Sequence, residues 1–66
     1  MQIQINGEPT EITEEFTIAG LLEHLKIEPE QVAVEMNRQV VPRGAWDETT
    51  VREGAAIEIV RFVGGG

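Results

Sequence analysis

The sequence predicts an α+β fold in which a mixed sheet packs on one main helix and a flexible glycine tail follows. Apolar residues recur at every second position near the start, at helical spacing over residues 18–25, and at every second position over residues 32–36 and 56–62. The 66 residues contain no internal repeat and no linker-like change in composition. We therefore expect one domain over residues 1–63 and a tail at residues 64–66.

The first elements predicted are two paired strands. Residues 1–5 alternate apolar and polar side chains, as in a half-buried strand. Asn6-Gly7 is a strong hairpin signal, because both residues tolerate the positive φ of a type I′ turn. A return strand is expected over residues 10–13 with Ile12 facing inward. Pro9 has no N–H to donate, so it fits beside the turn or on a sheet edge.

The main helix is predicted by apolar residues at i, i+3, i+4 and i+7: Ile18, Leu21, Leu22 and Leu25. Thr17 is the expected N-cap, because its hydroxyl can accept from a free N–H of the first turn. Lys26 favours the helix C-terminus through the dipole, and Pro29 prevents the helix from continuing much further.

Further strands are expected after the helix. Residues 32–36 alternate with the valines inward, and Asn37-Arg38 turns the chain into a short strand at residues 39–41 that Pro42 ends. Residues 43–50 are mostly polar and are predicted to form a loop. This order of strands and one helix is typical of the β-grasp, or ubiquitin-like, architecture.

The last strand, residues 56–62, follows a turn at Glu53-Gly54. If Ile57 and Ile59 pack on the helix, alternation places Val60 and Phe62 on the opposite face, in water beside the tail. We predict that these two side chains dock a partner protein, because exposed apolar residues often mark interaction sites. The alternative that Phe62 belongs to the core stays open.

Two residues of the predicted loop, Arg43 and Trp46, are candidates for a structural or a binding role. Trp46 is the sole tryptophan, and a large aromatic residue in a small domain is expected to pack against the core. Arg43 could pair with the acids of its own loop or with a partner, and the sequence does not choose between these.

The composition excludes several function classes. Twelve acidic against five basic residues give a formal charge of −7, which repels nucleic acid. The absence of cysteine excludes disulfides and thiol nucleophiles, and His24, the one histidine, is predicted to be a surface residue of the helix. Neither clustered metal ligands nor an apolar run of membrane-spanning length is present. We expect a non-catalytic, cytoplasmic protein with no bound metal or cofactor.

The terminal glycines, Gly64, Gly65 and Gly66, are the strongest functional signal. Glycine has no Cβ, so such a tail can enter a channel too narrow for other residues. The Gly66 carboxylate becomes reactive once ATP converts it to an acyl-adenylate. Because the chain lacks a nucleophile, a base and a phosphate loop, the ATP site is expected on a partner.

Several segments together resemble the sulfur carrier proteins of thiamine (thiazole) biosynthesis, and the similarity covers essentially the whole chain. They are Ile3-Gln4-Ile5-Asn6-Gly7, Leu21-Leu22, Val34-Glu35-Met36-Asn37, Val40-Val41-Pro42-Arg43 with Trp46, Ile57-Glu58-Ile59-Val60 and the terminal glycines. The Val-Pro-Arg segment with its tryptophan, between the asparagine turn and a Gly-Gly end, is the specific part.

The resemblance implies a ubiquitin-like carrier that is a monomer when free. A ubiquitin-activating-like adenylyltransferase would adenylate Gly66 with Mg-ATP, a cysteine desulfurase relay would supply sulfur for a thiocarboxylate, and thiazole synthase would consume it. Alternatives are the small subunit of molybdopterin synthase, a tRNA-thiolation carrier or protein modifier, and, from a different class, a non-reactive interaction module whose glycines are incidental.

Overall fold

One α-helix packs across a five-stranded mixed sheet in the computed structural model, which describes residues 1–62. The strands are β1 (Gln2–Ile5), β2 (Glu8–Glu11), β3 (Phe16–Thr17), β4 (Val32–Met36), β5 (Gln39–Val40), β6 (Thr50–Val51) and β7 (Ala56–Arg61), and the helix is α1 (Ile18–His24). The main sheet has the order β2-β1-β7-β4-β5. β1 and β7 run parallel, and the other neighbours run antiparallel. The predicted α+β arrangement is confirmed.

The first hairpin turns at Asn6 and Gly7, whose φ angles are 51° and 82°. Both values are positive, as a type I′ turn requires. The return strand begins earlier than predicted, at Glu8 instead of residue 10, and therefore includes Pro9. The sheet tolerates Pro9 because β2 is an outer strand, where an absent N–H breaks no ladder.

Helix α1 begins and ends with capping interactions. The Thr17 hydroxyl accepts from the Gly20 N–H at 3.1 Å, which confirms the predicted N-cap. At the other end, the N–H of Lys26 donates to the Glu23 carbonyl at 3.0 Å and that of Ile27 to the Leu22 carbonyl at 2.9 Å. These two bonds form a Schellman motif, in which Lys26 takes a φ of 60°.

The segment predicted as a loop, residues 43–50, contains more structure than expected. Arg43–Ala45 forms a 3₁₀ turn, and residue 50 opens β6. β6 pairs antiparallel with β3, so a second, two-stranded sheet is present. The prediction of a plain loop is wrong here, because strands of two residues are too short to show alternation.

The core lies between α1 and the main sheet. Buried apolar side chains form one cluster: Ile3, Ile12, Ile18, Leu21, Leu22, Val32, Val34, Val41, Trp46, Val51, Ala55 and Ile57. The inward positions predicted from strand alternation and helical spacing belong to this cluster or pack against it. Within residues 1–62, the structure contains no helix with the length and apolar character that crossing a membrane would require.

Candidate functional site

The strand that leads to the glycine tail, β7, lies in the middle of the main sheet. It pairs with β1 on one side through Ala56 and Ile57, and with β4 on the other side along Ile57–Arg61. It ends at Arg61, one residue earlier than predicted. The proposed reactive residues Gly64, Gly65 and Gly66, and residue 63 at the predicted domain boundary, lie outside the described residues. The tail is therefore attached to a strand with neighbours on both sides.

Alternation along β7 separates core from surface as predicted. Ile57 is 1% exposed and Ile59 packs against the core, whereas Val60 and Phe62 are each 55% exposed. Phe62 is therefore not a core residue. The predicted exposure is confirmed, and docking by these two side chains remains a prediction.

A third exposed apolar residue, Val40, joins them and was missed in the sequence. Its side chain is 69% exposed, while the adjacent Val41 is buried. Val40 pairs with Glu35 of β4, and Glu35 pairs with Glu58 of β7. Because cross-strand partners project from the same side of a sheet, all three residues share one face. The alternation of residues 39–41 across the hairpin was the signal that could have identified Val40.

We call this surface the open face, meaning the side of the main sheet away from α1 and formed by Ala33, Glu35, Val40, Glu58, Val60 and Phe62. Val60 lies opposite Ala33, and the Phe62 N–H donates to the Gln31 carbonyl at 2.9 Å, which ties Phe62 to the end of the same ladder. Toward β1 the same side carries Gln4, opposite Ala56. The open face is therefore apolar near the end of β7 and polar toward the far edge.

Two glutamates occupy directly opposite positions on neighbouring strands of the open face. Glu35 of β4 pairs with Glu58 of β7 in the antiparallel ladder, and the neighbouring pair on this side is Ala33 with Val60. Neither glutamate has a cationic partner within 4 Å among residues 1–62, where the one ion pair joins the Met1 ammonium and Glu11 at 3.0 Å. The open face thus combines exposed apolar side chains with two uncompensated negative charges.

Two asparagine side chains at hairpin turns hold β7 in place. Asn6 Oδ1 accepts from the Ile59 N–H at 2.7 Å, and its Nδ2 donates to the Ile59 carbonyl at 3.3 Å. Asn37 Oδ1 accepts from the Ala56 N–H at 3.0 Å. The sequence indicated both residues as turn formers but gave no sign of these contacts.

Arg43 and Trp46 support the fold. Trp46 is 4% exposed and its Nε1 donates to the Val41 carbonyl at 2.8 Å, so the predicted packing role is confirmed. The Arg43 guanidinium lies 4.8 Å from the centre of the tryptophan ring and donates to the carbonyls of Pro29 and Val32. Arg43 therefore contacts backbone carbonyls and an aromatic ring of its own domain, and within residues 1–62 it forms no ion pair with the acids of its loop.

The one histidine of the sequence packs against an aromatic ring, and no metal-binding group is found among the described residues. His24 lies at the end of α1 with its ring 4.9 Å from that of Phe16. Residues 1–62 contain no group of three or more histidine, aspartate or glutamate side chains placed to hold a metal ion.

Comparison with known proteins identifies relatives that match this chain over nearly its whole length. The sequence model of the ThiS family matches residues 3–66. The sulfur carrier protein ThiS of Escherichia coli is 32% identical over 66 residues, and the alignment covers all of both chains. A crystal structure of the thiamine biosynthesis protein ThiS from Geobacter metallireducens superposes with a TM-score of 0.88 at 40% identity and full coverage of both chains, which confirms the β-grasp fold.

Two larger proteins also contain a similar segment. The chain is 46% identical over 66 residues to a thiazole synthase of Magnetococcus marinus, and 38% identical to a thiazole synthase of Paramagnetospirillum magneticum. It spans 20% of the length of each of these relatives. The family match over residues 3–66 and the full-length likeness to curated carriers confirm the resemblance inferred from sequence. The chain belongs to the ThiS family.

Proposed function

We propose that this chain is a sulfur carrier of thiamine biosynthesis whose Gly66 carboxylate is converted to a thiocarboxylate. The observation that carries the proposal is the alignment with the E. coli sulfur carrier, which covers all of both chains and so includes the glycine tail. The absence of a nucleophile–base pair in the described domain supports a protein that is acted upon and is not itself a catalyst.

The proposed chemistry activates the carboxylate, which is a poor electrophile, and then replaces one of its oxygens by sulfur, in three steps. A Gly66 carboxylate oxygen attacks the α-phosphorus of ATP, and pyrophosphate leaves. A persulfide sulfur then attacks the carbonyl carbon of the acyl-adenylate, AMP leaves, and a thiol cleaves the resulting S–S bond to release the thiocarboxylate. Glycine suits the reacting position because it offers the least steric hindrance. The ATP site belongs to a ubiquitin-activating-like adenylyltransferase, and a cysteine desulfurase relay provides the sulfur.

In this proposal the folded domain provides the surface on which the partner enzymes dock. The end of β7 is held by its ladder with β4 and by the bond from the Phe62 N–H to the Gln31 carbonyl, and Val60 and Phe62 are exposed at that end. A partner that covers these side chains would hold the tail close to its own active site. Thiazole synthase is the proposed sulfur acceptor, which is supported by two thiazole synthases that include a segment similar to this entire chain.

Intact mass spectrometry tests the chemistry. The chain is incubated with its cognate adenylyltransferase, Mg-ATP and a persulfide donor, and we expect a mass gain equal to the replacement of one oxygen by sulfur, located on the C-terminal residue. Deletion of Gly66 provides the control and should abolish the gain. An unchanged mass for the full chain would refute the proposal. Retained partner binding by the deletion variant, together with that unchanged mass, would indicate a non-reactive interaction module.

A further inference from the structure

Glu35 and Glu58 occupy directly opposite positions on β4 and β7, which is an unfavourable placement for two side chains of like charge. Directly opposite residues of an antiparallel pair have Cβ atoms about 4.5–5.5 Å apart, and like charges at such positions destabilise the sheet. Glu58 is exposed and Glu35 is half-buried, so solvent screens one side chain better than the other. No arginine or lysine within the described range comes within 4 Å to offset the repulsion.

The surroundings of the pair are apolar on several sides. Val40 lies beside Glu35 on the next strand, and Val60 follows Glu58 by two residues, about 7 Å along the same face. A protein that covers these apolar side chains also removes water from the two carboxylates. Covering them without compensation would be costly, because buried charges need partners. The occupant of the open face must therefore bring positive charge to this point.

We propose that Glu35 and Glu58 together receive a cationic side chain of the partner, with arginine the best fit, while apolar partner residues cover Val40, Val60 and Phe62. A guanidinium presents five donors in a planar fork and can bond both carboxylates at once. This inference rests on the proposed function and deepens it, because it assigns the open face to thiazole synthase and names the charge that this enzyme must present.

Other occupants fit the open face less well. A second copy of the chain docked by the same face would bring four carboxylates together, and nucleic acid would be repelled by the formal charge of −7. Thiazole synthase is favoured because two thiazole synthases contain a segment similar to this whole chain. The glutamate pair would then help to select the correct enzyme and would weaken competing contacts.

Binding of the unmodified chain to its cognate thiazole synthase tests the inference independently of tail chemistry. We compare the wild type with the Glu35→Gln, Glu58→Gln and double variants, by calorimetry over a series of salt concentrations. We expect each variant to fold with unchanged or higher thermal stability and the double variant to bind about tenfold or more weakly, with a flatter salt dependence. If the two glutamates had a purely structural role, their replacement would lower the stability of the domain, and equal or higher stability with weaker binding would not be observed.

Glu14→Gln is the matched control, because it removes the same charge from an exposed loop position. If the double variant binds as the control does, with the same salt dependence, the inference is overturned. If the double variant is less stable than the wild type, the argument that repulsion between Glu35 and Glu58 destabilises the free chain is also contradicted. Either result leaves the mass gain at Gly66 untouched, so failure here is distinguishable from failure of the proposed function.

Discussion

At the scale of single residues, positive φ angles occur where the chain turns, and they favour some residue types over others. Asn6, Lys26, Asn37 and Arg38 are the non-glycine residues with positive φ in the described part of the chain. Asparagine tolerates this conformation because its short side chain can bond locally, whereas lysine and arginine gain nothing of this kind. The asparagines are therefore well suited to their positions, and Lys26 is not.

Replacement of Lys26 by glycine is expected to stabilise the domain by about 0.5–1 kcal/mol, because the left-handed conformation at a helix C-terminus carries no Cβ penalty in glycine. Urea denaturation measures the change. Lys26→Ala removes the same charge but keeps the Cβ, so it should give no such gain. Equal stability of the glycine and alanine variants would contradict the explanation.

The asparagine contacts with β7 predict a local effect. Asn6→Gly keeps the turn but removes both bonds to Ile59, so we expect a loss of about 1–2 kcal/mol and faster hydrogen exchange at the Ile59 amide. Asn37→Gly is the reciprocal control and should speed exchange at Ala56 instead. Exchange rates that fail to follow this pairing would show that the side-chain bonds do not hold the strand.

At the scale of elements, the helix was easier to predict than the small sheet. Four apolar residues at helical spacing and a threonine cap indicated α1 directly, because the required information lies within ten consecutive residues. The β3–β6 pair joins residues 16–17 to residues 50–51, and neither segment is long enough to show a period. Similarly, the bonds from Asn6 to Ile59 depend on β1 lying beside β7, which local sequence does not encode.

Gly20 in the first turn of α1 provides a test of helix propensity. An added Cβ would meet the Thr17 hydroxyl oxygen at 3.4 Å and a Phe16 ring carbon at 3.5 Å, both ordinary contact distances. Gly20→Ala should therefore stabilise the domain, by up to about 1 kcal/mol, as measured by thermal unfolding. Gly7→Ala makes the same chemical change at a φ of 82° and should destabilise it. A destabilised Gly20 variant would disprove the argument.

At the scale of the whole molecule, one side of the main sheet packs into the core, and the other side exposes Val40, Val60 and Phe62. The inner side was predictable from alternation, as were the exposed positions of Val60 and Phe62. The opposition of Glu35 and Glu58 could not be read from the sequence, because it depends on the register between β4 and β7. The tail chemistry is proposed from the family and the terminal glycines, and the Phe62 N–H, which bonds the Gln31 carbonyl at 2.9 Å, fixes the end of the strand that precedes the tail.

Replacement of Phe62 by alanine should separate binding from folding. Because the side chain is 55% exposed, we expect the unfolding free energy to change by no more than about 0.5 kcal/mol, while affinity for thiazole synthase falls about tenfold. Ile57→Ala, at a position that is 1% exposed, is the contrasting control and should cost about 2–5 kcal/mol of stability. A large stability loss in the Phe62 variant with unchanged affinity would show that this side chain stabilises the fold and does not dock a partner.

The parallel pairing of β1 with β7 also has a mechanical consequence. A pull on residue 62 against residue 1 draws these neighbours in opposite directions along their length, so the load is shared by bonds such as Gln4 N–H to Ala55 O at 2.9 Å and Asn6 N–H to Ile57 O at 2.8 Å. Under this load the bonds break together, in shear, whereas a pull perpendicular to the strands would break them one after another. We therefore expect the domain to resist a force applied between residues 1 and 62 more strongly than a domain whose terminal strands separate one bond at a time.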